Sequence, residues 1–467
     1  MGSTTCGTCT RRSSSATARS ASSRARGTRP SACTATSGSF ATARTRVRAL
    51  PGLAPLRHRD FALYWIGQLV SLSGTWVELT ATSWLLYQLT SSPLLLGMNG
   101  LVRAVPIIGL SLFGGAVADR VARKRLLLVT QSSSVVTSLI LGALVATNAV
   151  TFWHIYVIGF VNSTLAAFDT PSRQALFPTL VPRGQIQNAV ALNSMLFRIS
   201  TLIGPPVAGL LIAGVSTSAP FFVNAASYVT IIVALVAIRA PEMPRRSQAS
   251  LRADVAGGLR YAFASPILPL VLAVEACLSV FGHNSALTTI FARDVFGVGA
   301  EGLGILLGAV GAGALLGMVT LVAVGDVRRK GAFMVAAGLV YSATLVAFAF
   351  SRSFALSVAV LFVLGLADAT WGTMRNAIAQ LATSDAYRGR VMSLIVITSR
   401  GLTQASQLQT GAAVALFGPA VAAAVGGAVI GLTVLGVAAR SPRLRRFAGA
   451  APPGLEPAAV AAAGGGD

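Results

Sequence analysis

Apolar positions along this chain gather into twelve stretches, at 62–88, 94–118, 126–147, 151–173, 188–214 and 219–238, and, after a polar gap, at 267–292, 301–325, 332–350, 354–375, 391–417 and 419–438. A helix needs about 20 residues to cross the ~30 Å hydrocarbon core, and it satisfies its own backbone hydrogen bonds, as lipid demands. One such run would suit a buried soluble helix. Twelve in succession predict an all-α membrane protein with twelve transmembrane helices. The loops between them sort by charge. Arginine and lysine collect in 119–125, 173–183, 239–260, 326–330 and 375–390 and in both terminal segments, whereas 90–93, 146–150, 215–220 and 417–419 carry no charge. The loop 293–301 sets one arginine against Asp294 and Glu301, and 351–353 holds Arg352 alone. By the positive-inside rule both termini and the 239–266 segment face the cytoplasm. An even number of spans also returns both termini to one side.

Composition sharpens this picture. The chain is 54% hydrophobic and 11% charged, against the roughly 25% charged of a soluble domain, and its mean hydropathy is +0.71. A formal charge of +23 would suggest nucleic acid as the partner of a soluble protein; here it reflects loop sorting, and the expected partner is the lipid bilayer. Arginine far outnumbers lysine, as in GC-rich genomes, where start sites are easily mis-called; the expected location is a bacterial inner membrane. Residues 1–56 are rich in Ser, Thr, Ala and Arg, lack acidic side chains until Asp60, and hold no apolar core of a signal peptide. They predict a disordered basic tail; a translation start near Val47 would leave the fold intact. Cys6-Gly-Thr-Cys9 has a metal or redox spacing but no second pair, so neither a metal nor a cofactor is expected. The predicted organisation is a tail (1–56), a six-helix bundle (57–238), a cytoplasmic linker (239–266), a second six-helix bundle (267–440) and a C-terminal tail (441–467).

The chain also repeats itself. Arg173-Gln-Ala-Leu recurs as Arg375-Asn-Ala-Ile, Arg198 as Arg400 and Gly209 as Gly411, each pair 202 residues apart. The run Asp119-Arg120…Arg123-Lys124-Arg125 has a partner in Asp326…Arg328-Arg329-Lys330. A parallel repeat of six spans predicts two pseudo-symmetric bundles about an axis along the membrane normal. Charges inside lipid are costly and mark helices that meet protein or water. Spans 3, 6, 9 and 12 carry none and are expected to face lipid. Elsewhere stand Glu78, Arg103, Asp169, Arg173, Arg198, Glu275, Asp368, Arg375 and Arg400. Glu78 and Arg103 lie at equal depth and are expected to pair across the first two spans. Arg198, Glu275, Asp368 and Arg400 share a depth and are expected to ring one cavity, with Glu275 and Asp368 as proton-coupling candidates, since burial and a nearby arginine pull a carboxyl in opposite directions. Asp169 and Arg173, one helical turn apart, suit a gate. His283 and Asn284 either line the same path or pack, and the glycines from Gly304 to Gly317 predict close helix contact.

Gly115-Ala-Val-Ala-Asp119-Arg120-Val-Ala-Arg123-Lys124-Arg125 resembles the loop 2–3 signature of the major facilitator superfamily, with Ala122 where that pattern prefers glycine. Gly204-Pro205-Pro206-Val-Ala-Gly209 is similar to the Gly-Pro-x-x-Gly-Gly signature of drug–proton antiporters, with Ala208 in place of one glycine; its prolines let the fifth span bend. Phe168-Asp169-Thr-Pro171-Ser-Arg173-Gln-Ala-Leu, Asn188-Ala-Val-Ala-Leu-Asn193-Ser194 and the opening Phe61…Trp65-Ile-Gly67-Gln68 resemble the enterobactin-exporter-like branch. The resemblance covers about 57–440. It implies that Asp119 meets the eleventh span, with Arg173 as a counter-ion, and that Arg120, Arg123 and Lys124 lock a cytoplasmic gate. It further implies proton-coupled efflux of a small organic molecule (a siderophore, antibiotic or other amphipathic compound) by alternating access, with a metabolite importer or facilitator as the alternative and a monomer as the functional unit. An enzyme is not expected, since His58, His154 and His283 are scattered; nor is ATP-driven transport by this chain alone, since no phosphate-cradling Gly-rich loop precedes a Lys-Ser/Thr pair.

Overall fold

The computed structural model of the chain describes residues 51–239, 259–325, 327–384, 387–445 and 447. Most of both expected tails, most of the 239–266 linker and Asp326 lie outside the described residues, as do the side chains of 111–120 (hence Gly115, Asp119 and Arg120) and of Arg400. Each of the twelve apolar stretches is helical over most of its length. The first half comprises α1 (Arg59–Thr90), α2 (Pro93–Arg120), α3 (Arg123–Ala146), α4 (Phe152–Leu176), α5 (Ile186–Gly214) and α6 (Ala219–Ala237). The second half comprises α7 (Leu268–Phe281), α8 (Ser285–Ile290), α9 (Ala300–Val324), α10 (Lys330–Phe350), α11 (Phe354–Leu381), α12 (Arg388–Val396), α13 (Leu402–Phe417) and α14 (Pro419–Arg440). Among the described residues nine helical segments are long and apolar enough to cross a membrane. The remaining stretches, α1, α4 and α12–α13, are richer in polar side chains.

Local chemistry sets the turns. Ser91 (φ 47°) closes α1 in the left-handed region and Pro93 opens α2, while Gly418 (φ 81°) separates α13 from Pro419 of α14; proline suits a first helical turn because it has no N–H to leave unpaired. Two interruptions were invisible in the apolar pattern. The seventh stretch breaks at 282–284, where Asn284 Oδ1 accepts the Leu287 N–H at 3.0 Å to restart the helix as α8, which then widens into a π turn at Phe291–Val295. The eleventh widens likewise at Ile397–Gly401.

Packing follows the expected period of three. Among the described residues, helices α3, α6, α10 and α14 make their main contacts with elements of their own half, and their apolar side chains Val233, Phe350 and Leu432 stand 61%, 68% and 70% exposed, as a lipid-facing belt requires. The two halves meet along α2–α13 and α5–α9. These seams are built from the same contacts twice. A Cβ on Gly97 would lie 2.4 Å from the Gln407 carbonyl oxygen, and one on Gly304 would lie 2.6 Å from that of Pro205. A Cβ on Gly411 would lie 2.3 Å from the Pro93 carbonyl, and one on Gly209 2.6 Å from that of Ala300. Gly97 and Gly304, like Pro93 and Ala300, are 207 residues apart; Pro205 and Gln407, like Gly209 and Gly411, are 202 apart. The repeat therefore has two offsets. The five-residue difference arises at α3 and α10 (24 against 21 residues) and in the loops that follow them.

Candidate functional site

A cavity of about 460 Å³ opens inside the first half, lined by residues of α1 to α6. Its two poles are carboxylates. Toward one end Glu78 Oε2 accepts hydrogen bonds from Ser138 Oγ and Asn224 Nδ2, both at 2.5 Å, and Oε1 accepts from Asn162 Nδ2 at 3.3 Å. Three other helices thus supply the donors to one buried acid on α1. Asn162 is itself held by Thr137 at 2.6 Å, and the Asn224 carbonyl by Ser227 at 3.0 Å. This corrects the expectation of a Glu78–Arg103 ion pair: among the described residues no such pair forms, and three neutral donors satisfy the carboxylate instead. Arg103 lines the same cavity.

At the other pole Asp169 pairs with Arg173 one turn along α4, and its second oxygen accepts from Gln131 Nε2 at 2.6 Å and Thr130 Oγ1 at 3.1 Å. The Arg173 guanidinium thus pairs with Asp169; its expected contact with Asp119 falls outside the described residues. Between the poles lie buried side-chain atoms with no protein partner: Gln68 Oε1, Asn99 Oδ1, Gln131 Oε1, Ser163 Oγ and Arg103 Nε.

The expected ring of four charges is also corrected. Glu275, buried on α7, pairs with Arg375 and accepts from the indole N–H of Trp371 at 2.8 Å. It is thereby tied to α11 within the second half. Arg198 and Asp368 do meet, at 3.5 Å, and join α5 to α11 across the two halves. Although Asp368 sits near the middle of α11, its side chain is 47% exposed and that of Arg198 25%, so this pair is only partly buried.

Arg123 Nη1 donates to the Ala175 carbonyl at 3.2 Å, and Lys124 Nζ to those of Val236 (3.2 Å) and Ile238 (2.8 Å). Both therefore cap the carbonyl ends of α4 and α6, where a cation is favoured, within the first half. Gly204, Pro205 and Gly209 fall on contact surfaces: a Cβ on Gly204 would strike Trp76 of α1, and the other two form the α5–α9 seam. At the end of the bundle away from the termini, Tyr87 Oη donates to Asp294, and Arg293 Nη1 donates to the Tyr87 carbonyl at 2.6 Å. Sequence reasoning treated these charges only as loop residues; nothing in their spacing signals a contact with α1. His283 bonds Thr288 at 2.6 Å and Asn284 Nδ2 donates to Thr410 at 2.7 Å, so both serve the helix break. Among the described residues no cluster could hold a metal ion. Cys277 bonds Thr433 at 3.4 Å.

Residues 50–456 match the family of transmembrane secretion effectors. A transporter of Bacillus subtilis (strain 168), the uncharacterized MFS-type YfiS, is 27% identical over 53% of this chain and 60% of its own length. The staphyloferrin A transporter of Staphylococcus aureus (strain NCTC 8325 / PS 47) is 31% identical over 33% of this chain and 39% of its own. The chain thus spans less than two thirds of these two relatives. The enterobactin exporter EntS of Shigella boydii serotype 4 (strain Sb227) is 24% identical over 72% of this chain and 81% of its own. Among solved structures, the nucleoside transporter NupG superposes with a TM-score of 0.63 at 13% identity, covering 81% of this chain and 98% of that one.

Proposed function

The chain belongs to the transmembrane secretion effector family of the major facilitator superfamily, and from that premise we propose that it exports a small amphipathic organic molecule from a bacterial cytoplasm, driven by inward proton movement. It is a membrane transport protein with the major facilitator fold; substrate, direction, coupling and the cytoplasmic placement of its termini belong to the proposal. The observation that carries it is the Arg198–Asp368 pair. This contact joins the halves at mid-helix and is only partly buried. A proton on Asp368 removes one charge of the pair and so loosens the two halves at that level, which is the coupling that alternating access needs. Glu275 is the weaker proton carrier because Arg375 and Trp371 hold it. The glycine seams and the Tyr87–Asp294 contact close the end of the bundle that the arginine-poor loops assign to the outside. Relatives named for a siderophore exporter and for macrolide efflux favour efflux over import.

Purified protein in proteoliposomes with an internal pH-sensitive dye tests this. A screen of siderophores and hydrophobic drugs under an imposed proton gradient is expected to find compound-dependent proton flux that Asp368→Asn abolishes. Flux indifferent to Asp368→Asn removes the coupling role. Folded, inserted protein that moves no protons with any compound removes proton-coupled export.

A further inference from the structure

The geometry points to the first-half cavity as a binding site in its own right, for an organic anion that also carries hydrogen-bond donors, such as a phenolic or polyhydroxylated acid. The site is lined by residues of one bundle, and as a substrate site it rests on the transporter reading. Leaving a buried polar atom unpaired costs about 1–3 kcal/mol, so such atoms are rare and informative. Among the described residues six buried side-chain N and O atoms lack a partner, and five of them line this one cavity. Gln68 and Asn99 are 4% exposed, Gln131 and Ser163 2%. They come from α1, α2, α3 and α4, so the concentration is a property of the cavity and not of one helix.

The chemistry of these atoms selects the ligand. Gln131 Nε2 is already bound to Asp169, so its carbonyl oxygen is the atom left free, and it accepts. Gln68 and Asn99 present an amide each, and Ser163 a hydroxyl. They suit hydroxyl or amine donors on a ligand. The charges select its sign. Three neutral donors occupy the Glu78 oxygens, and Arg173, Gln131 and Thr130 occupy those of Asp169, so both carboxylates already have their hydrogen-bond partners. Arg103 brings a guanidinium to the cavity wall with its Nε unpartnered. Leu72, Leu79, Ile107, Ile155 and Phe197 complete the wall and suit a ring or hydrocarbon body. The volume falls within the range of small-molecule pockets.

Fluorescein, an aromatic acid, is the probe, used in mildly acidic buffer so that its carboxylate is ionised while the phenol keeps its proton; its methyl ester is then uncharged. Fluorescence polarisation with the full chain in lipid nanodiscs is expected to give saturable fluorescein binding at least tenfold tighter than that of the ester. Two variants bear on the location. Arg103→Gln removes the cation. Gly159→Leu removes no polar group: its Cβ would meet Asn99 Oδ1 at 3.4 Å and Arg103 Cγ at 3.5 Å, ordinary contact, and the rest of the side chain fills the cavity. Each is expected to weaken fluorescein at least tenfold, with folding checked by thermal unfolding. Gly159→Leu keeps the test open should Arg103→Gln fail to fold. Equal binding of acid and ester, undiminished binding in Gly159→Leu, or no saturation with the unaltered chain overturns the assignment. Proton flux separates the two proposals. Compound-driven flux with fluorescein binding indifferent to Arg103 sinks the site and keeps the exporter. Arg103-dependent binding without any compound-driven flux sinks the exporter and keeps the site.

Discussion

Arg173 in the first half and Arg375 in the second are repeat mates 202 residues apart, and each closes a buried ion pair, but they find their acid in different places. Arg173 takes Asp169, one turn back on its own helix. At the matching position the second half has Trp371, and Arg375 instead takes Glu275 from α7. Glu275 stands 207 residues after Gln68, one of the unpartnered amides of the cavity. The acid has in effect changed helices while the arginine stayed. The same contrast runs through the interior. At the stated offsets Asn99, Arg103, Gln131 and Ser163 correspond to Leu306, Val310, Gly338 and Gly365, and Trp371 fills space at 2% exposure. The seams between halves are the same twice over, whereas the first interior holds a polar cavity and the second ties Glu275 to Arg375 and Trp371 across helices. Duplication supplied a frame; the division of labour lies in what fills each half.

The sharpest way to break this comparison is to remove the acid in each half. Glu275→Ala leaves Arg375 buried without its carboxylate and is expected to cost about 3–5 kcal/mol, read as a large fall in the unfolding midpoint in detergent. Asp169→Ala is expected to cost less, about 1.5–3 kcal/mol, because Arg173 is 21% exposed against 12% for Arg375 and water reaches it. Equal losses would mean that the two pairs are equivalent. The seams should respond alike: Gly209→Ala and Gly411→Ala each force a Cβ against a carbonyl and are expected to destabilise by about 1–3 kcal/mol. A large difference between them would break the symmetry claimed for the interface. Smallest is Gln68→Leu, expected to shift stability by less than about 1 kcal/mol, since it removes a buried acceptor that has no partner, while lowering fluorescein binding. A loss above 2 kcal/mol would show that the Gln68 amide is structural.

The helices, the loop charge pattern and the lipid-facing period of three were legible because each is a long, repeated signal. Spacing brought Asp169 and Arg173 together, and depth put Arg198 and Asp368 at one level, but within a ring of four charges and not as a pair. Depth alone misassigned Glu78 and Glu275: it ranks residues along the membrane normal but says nothing of which way around the helix they point. It also passed over neutral donors, so Ser138, Asn162, Asn224 and Trp371 went unnoticed although they decide where each acid sits. The 202-residue offset was found, but its change to 207 ahead of the fourth helix hid the match between Gln68 and Glu275. Asp119, Arg120 and Gly115 remain expectations of the family resemblance, with Arg123 and Lys124 bonded inside the first half.

Tyr87 and Asp294, the two residues that meet at the closed end, are themselves 207 positions apart. Each is the other's counterpart, so their contact straddles the pseudo-twofold axis. Two identical copies of a half-length ancestor would set like against like there, hydroxyl to hydroxyl or carboxylate to carboxylate. A donor facing an acceptor on such an axis requires that the copies differ, and one continuous polypeptide guarantees that each molecule contains one of each kind.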